Sequence, residues 1–167
     1  TAIARQDFYT DFSASDDYID LNTDFESWIE SPNRSFTTWV KNGGNTDEVR
    51  IFNVGYASGA TGFALGLDGG FADNIPFYFL RNTSAGVLKA SFGDVLNTTD
   101  WYHFAITIND SANEAYLYQN GILKATVSNV GTPSQTTDTS AKIGGFWGNG
   151  LTNNFNGQIS NMALYQT

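Results

Sequence analysis

The sequence predicts an all-β chain folded as two packed antiparallel sheets, and three observations carry that expectation. The dominant hydrophobic period is two residues rather than 3.6, the periodic runs are short, and Gly, Asn, Asp, Ser and Thr separate them. β-Branched and aromatic side chains favour a pleated, half-buried surface, while the 17 glycines supply turns and bulges.

In chain order, strands are expected over residues 8–13 and 18–21, then over 35–41, where Ser35-Phe36-Thr37-Thr38-Trp39-Val40-Lys41 reads as a strand. Apolar runs follow at 49–56, 62–67, 76–81 and 87–92. The second half supplies 101–109, 114–119, 122–128, 141–145 and 156–165. Between 114–119 and 122–128 stands Asn120-Gly121, a pair that accepts the positive φ angles of a type I′ turn and predicts a tight hairpin. One short helix interrupts the series. Thr23-Asp24-Phe25-Glu26 has the spacing of a capping box, which predicts a helix over 24–30 stopped by Pro32.

Composition bounds the function. A chain of 167 residues fits one domain, here 1–167 with no linker or repeat, and buries roughly 70% of the surface its unfolded form exposes. With no cysteine, disulfide frameworks, thiol catalysis and cysteine zinc sites are excluded, whereas the redox compartment stays undecided. No run approaches the ~18 apolar residues of a membrane span. The net charge is -9, and the eight cations, from Arg5 to Lys142, form no cluster, so nucleic acid and anionic membranes are disfavoured partners. The chain begins at Thr1, which suggests a processed product or an excised domain. Sequons at Asn33, Asn82, Asn97 and Asn109 matter only in a glycosylating secretory host.

Several blocks then carry a resemblance. Trp101-Tyr102-His103-Phe104-Ala105-Ile106-Thr107, Tyr116-Leu117-Tyr118-Gln119-Asn120-Gly121, Lys142-Ile143-Gly144 and Phe155-Asn156-Gly157-Gln158-Ile159 resemble the C-terminal half of a laminin G-like domain. The stretch from Phe12 to Leu21 and the Trp39 strand resemble its N-terminal half. The resemblance implies a jelly-roll sandwich of the concanavalin A-like lectin and glucanase superfamily, with one concave sheet, one convex sheet and loops along the rims. In such a sandwich Trp39, Trp101, Phe104, Ile106, Ile108 and Leu117 are expected to interdigitate across about 10 Å.

Some relatives on this fold hydrolyse glycosidic bonds, which requires two carboxyl groups about 5 to 9 Å apart. The fold's glucanases place them on a Glu-x-Asp-x-Glu or Glu-x-Asp-x-x-Glu strand, and neither Glu26, Glu30, Glu48 nor Glu114 stands in such a pattern. The only histidine, His103, falls on the family's Trp-x-His position, which implies a structural ring bonded inside the sheet. A non-catalytic protein is therefore expected.

Calcium is the cofactor the resemblance implies, with Asp16 and Asp17 or Asp68 and Asp73 as the rim carboxylates closest to a site. The position after the last Gly-x-Ile, acidic in many relatives, is Ser160-Asn161 here. Sugar recognition needs an exposed aromatic face and planar amides. Trp147 with Asn149, in a glycine-flanked loop, fits best, and Asn42, Asn45, Asp47, Asp73 and Asn74 occupy other expected rim loops. Two functions stay open. One is a carbohydrate-binding or adhesion module, extracellular, on a cell surface or on a virion, whose partner is a glycan. The other is a structural domain, such as a virion decoration or appendage, that binds a surface or virion protein, another copy of itself or a larger particle.

Overall fold

The computed structural model describes residues 9–13, 17–21, 25–55, 62–68, 74–82, 86–130, 141–145 and 154–166. Its elements follow the predicted order. β1 (Thr10–Phe12) and β2 (Ile19–Asp20) precede α1 (Glu26–Ile29). The middle strands are β3 (Asn33–Asn42), β4 (Val49–Val54), β5 (Gly62–Leu67), β6 (Pro76–Asn82) and β7 (Gly86–Ser91). The last five are β8 (Trp101–Asn109), β9 (Glu114–Gln119), β10 (Ile122–Ser128), β11 (Ala141–Ile143) and β12 (Gly157–Gln166).

The strands form two antiparallel sheets. The first has the order β1-β12-β3-β8-β9-β10 and the second β2-β11-β4-β5-β6-β7. Every pairing within them is antiparallel, so the chain crosses repeatedly between layers, as a sandwich requires. The β9–β10 hairpin turns on Asn120 at φ 52° and Gly121 at φ 78°, the left-handed pair of a type I′ turn. Asn120 reinforces it, because its Oδ1 accepts from the His103 N–H at 2.8 Å and its own N–H donates to His103 O at 2.8 Å.

Aromatic rings close the interface between the layers. Phe36 of β3 stacks on Phe52 of β4 at 4.9 Å with planes 10° apart, and both are fully buried. Phe92 meets Phe104 edge-on at 5.1 Å. α1 plugs one end: Trp28 packs edge-on against Phe63 at 5.1 Å while its Nε1–H donates to Tyr165 O at 3.0 Å. Thr23 of the predicted capping box lies outside the described residues, and Pro32 follows the helix as expected. Gly66 has no substitute, because a Cβ there would stand 2.2 Å from Val49 O.

One expectation fails. Phe104, Ile106, Ile108 and Leu117 are core, but Trp39 is 39% exposed and Trp101 only half-buried. The reason is parity. In β3, Phe36, Thr38, Val40 and Asn42 are the buried series, so Trp39 belongs to the opposite face. Trp101 likewise has the opposite parity to Phe104, Ile106 and Ile108.

Candidate functional site

The outward parity of β3 and β8 collects aromatic and hydroxyl side chains on the open face of the first sheet. Trp39 is the register partner of His103 on one side and Ser160 on the other. Its ring meets the imidazole at 5.1 Å with planes 53° apart. Tyr9, 48% exposed, contacts Trp101 at 5.9 Å. Lys41 lies between Trp101 and Gln158, with Asp11 beyond Gln158 in the same row. Further along the strands stand Thr37, Ala105 and Tyr118, then Ser35, Thr107 and Tyr165. Ser35 Oγ and Thr107 Oγ1 are 3.4 Å apart.

His103 departs from its expected role. Its ring packs on Trp39 and makes no hydrogen bond to a described residue, whereas its backbone holds the hairpin turn. Partial burial lowers the imidazole pKa below its ordinary 6.5, so the ring is neutral at neutral pH. The surface therefore presents flat, uncharged rings flanked by hydroxyls and amides.

The rim amides have a different task. Asn42 Nδ2 donates to Asn74 Oδ1 at 2.7 Å and to Leu96 O at 3.3 Å. Its Oδ1 accepts from Asn45 Nδ2 at 2.7 Å and from the Gly44 N–H at 3.1 Å. Asn45 Nδ2 donates also to Asn156 O at 2.8 Å, and its Oδ1 accepts from the Asn156 N–H at 2.9 Å. Asn74, left-handed at φ 60°, takes the Asn45 N–H on the same Oδ1 at 3.1 Å. Asn42 and Asn45 are 1% and 5% exposed, and both hydrogens of each amide nitrogen are used. This corrects the expectation of ligand contact by Asn42: its amide locks three rim segments together and has no capacity left for a sugar. Asp47 is exposed in the loop after β3, apart from that knot. Trp147, Asn149 and Asp73 lie outside the described residues.

The calcium candidates are not assembled by the described residues. Asp16 lies outside them, and Asp17 Oδ2 accepts from the Ser13 N–H at 3.0 Å. Asp68 sits in a left-handed turn at φ 71°, its N–H donating to Ile75 O at 2.9 Å. Among the described residues no group of three or more His, Asp or Glu side chains could hold a metal ion.

On the outer face of the second sheet the described residues include several paired charges. Arg50, 4% exposed, lies 4.9 Å from the Phe77 ring and forms an ion pair with Glu48. Lys89 reaches Glu48 at 3.4 Å, and Lys142 pairs with Asp20 at 3.7 Å while covering the Tyr18 ring at 4.1 Å. Burial alone would raise the Glu48 pKa, but Arg50 and Lys89 overcome it and hold the carboxyl below the usual range.

Trp39, Trp101 and His103 are thus the surface that sequence reading missed. The signal was present, because residues of opposite parity on one half-buried strand cannot all face the core.

Comparison with known proteins agrees with this fold. The family model described as concanavalin A-like lectin/glucanases superfamily, a laminin G family, matches residues 13–167. No curated protein matches the chain in sequence. The carbohydrate-binding module CBM40 of a Ruminococcus gnavus IT-sialidase, solved with α2,3-sialyllactose, superposes with a TM-score of 0.75 at 16% identity, over 95% of this chain and 91% of that one. Domains LG4-5 of the mouse laminin α1 chain give 0.72 at 12% identity, over 93% of this chain and 41% of theirs. Domain 4 of a GH43 extracellular arabinanase from Geobacillus stearothermophilus, in complex with arabinotriose, gives 0.65 at 19% identity, over 82% and 62%. The chain therefore spans less than two thirds of the laminin and arabinanase chains. Among the described residues no helix is long and apolar enough to cross a membrane.

Proposed function

This chain belongs to the laminin G-like part of the concanavalin A-like lectin and glucanase superfamily, and from that premise we propose that it is a non-catalytic carbohydrate-binding module acting outside the cell. The observation that carries the reading is Trp39, a tryptophan 39% exposed on a rigid strand and buttressed by His103. An indole held this way offers an apolar plane for the apolar face of a sugar ring, and Ser160 and Gln158 of β12 stand beside it for hydroxyls. A strand-borne ring is pre-organised, so little ordering entropy opposes binding. Two structural neighbours solved with oligosaccharides support the reading.

Catalysis is left out because no glutamate stands in the paired-carboxylate spacing, and two of the four are engaged elsewhere. Glu48 is ion-paired with Arg50 and Lys89, and Glu114 accepts from the Tyr116 hydroxyl at 2.6 Å. A protein-contact role in adhesion or particle assembly has one observation in its favour, the edge strand β10, whose Ile122 and Leu123 are 61% and 49% exposed.

The test is a glycan and polysaccharide array probed with the wild type, Trp39→Ala and Trp147→Ala. The proposal expects wild-type binding that Trp39→Ala removes. No binding to any glycan, with self-association through β10 instead, would refute it in favour of the assembly role.

A further inference from the structure

We propose that the open face of the first sheet binds the interior of an extended, uncharged polysaccharide chain laid lengthwise along β3, between β8 and β12. This rests on the carbohydrate reading of the same face and adds the ligand class.

Two aromatic stations carry it. The first is Trp39 with His103, and the second is Tyr165, 59% exposed and paired in register with Ser35. Ser35 and Trp39 are four residues apart on β3, so the stations stand roughly 13 Å apart. A single sugar ring cannot reach both, whereas a chain of several rings can. Beside Tyr165 lies an open depression of about 210 Å³, bordered by Asn33, Thr107, Asn109 and Gln166, which continues the line of the strands. It is smaller than the ~300–1,000 Å³ of pockets that enclose a ligand. Among the described residues the surface is therefore a track with open ends, without a wall that would require a terminal residue.

Charge selects the occupant. Between the stations the described side chains are Thr37, Ala105, Tyr118 and Ala163, none of them a carboxylate or an ammonium. At one end Lys41 shares its row with Asp11. At the other, Glu114 is bonded by Tyr116. The stretch between the stations is thus uncharged, with the Asp11 and Glu114 carboxyls at its ends, on a chain of net charge -9, which repels a polyanion and offers it no row of cations. A hydroxyl-rich neutral chain matches both the rings and the Ser35, Thr37, Thr107 and Ser160 hydroxyls beside them.

The experiment begins with pull-down on cellulose, chitin, xylan, mannan and arabinan. Mono- to hexasaccharides of the polymer that binds are then titrated calorimetrically into the wild type, Trp39→Ala and Tyr165→Ala. The expected result is affinity rising about tenfold or more from disaccharide to hexasaccharide. Tyr165→Ala weakens the hexasaccharide alone, and Trp39→Ala weakens every length. Affinity independent of length, an equal effect of Tyr165→Ala on short and long ligands, or binding of sialyllactose without any neutral polymer would overturn the track and leave the carbohydrate reading standing. Absence of binding to every glycan, or concentration-dependent self-association abolished by Trp39→Ala, would overturn both.

Discussion

Trp39 on β3 and His103 on β8 face each other in register, their rings 5.1 Å apart and tilted by 53°. The contact places the chain's only histidine against an indole on an open sheet face. Burial disfavours its charged form, so its folded pKa lies below the ordinary value. The unfolded chain then binds the proton more readily, and stability is lost as pH falls through about 6.5 towards the folded value. Melting curves between pH 7 and 5 should show this loss in the wild type and a flatter profile in His103→Gln. Identical profiles would remove the coupling.

The asparagine knot predicts a stability effect separate from binding. Asn45→Ala removes one of the two donors to Asn42 Oδ1 and the part-buried bonds to Asn156 O and the Asn156 N–H. Asn42 Oδ1 keeps the Gly44 N–H and Asn156 is open to water, so each lost hydrogen bond costs about 1 kcal/mol and urea unfolding should show a loss of about 2–3 kcal/mol. Glycan affinity on the open face should be unchanged, because the knot lies on the inward parity of β3.

Arg34 and Asp110 form an ion pair at 3.2 Å with side chains 0% and 7% exposed. Among the described residues, Arg34 Nε and Nη2, Asp110 Oδ2 and Tyr78 Oη lack partners. Arg34→Met leaves Asp110 unpaired and should cost about 3–5 kcal/mol, whereas Arg34→Met with Asp110→Leu should recover most of it. Denaturant titration of the three proteins checks the order; equal loss in both variants would contradict it.

Glu48 predicts an acid limit. Its pKa is held below the usual carboxylate value, so its contribution is present above about pH 4.5 and lost as pH falls through the folded value. The melting-temperature difference between wild type and Glu48→Gln should therefore be largest near neutral pH and shrink in acid. The carboxyl is partly exposed, which keeps the effect small.

Most of the fold is legible because period two is a local property: every predicted strand run overlaps an observed strand, and Asn120-Gly121 turns as its φ preferences demand. The site was less legible. The chemistry of Trp39 suggests the interior, although Phe36 and Val40 fix its parity outward. Asn42 suggests a ligand contact because an amide at a strand end looks available. Its saturation by Asn45, Asn74 and Leu96 depends on segments far apart in sequence, which no local pattern encodes.

The proposed surface would bind by stacking and hydroxyl contacts and would need no calcium. Chelator should leave glycan affinity within about twofold, a change of less than about 0.5 kcal/mol. Loss of binding on chelation, restored by calcium, would move the site to the rim carboxylates.

The most direct measurement is a heteronuclear NMR map of backbone amides and indole Nε1–H groups while a bound oligosaccharide is titrated in. The largest shifts are predicted at Trp39, Trp101, His103 and residues 35–41 of β3. Shifts confined to Trp147, Asn149 and the rim residues around Asn74, with Trp39 unmoved, would contradict the account.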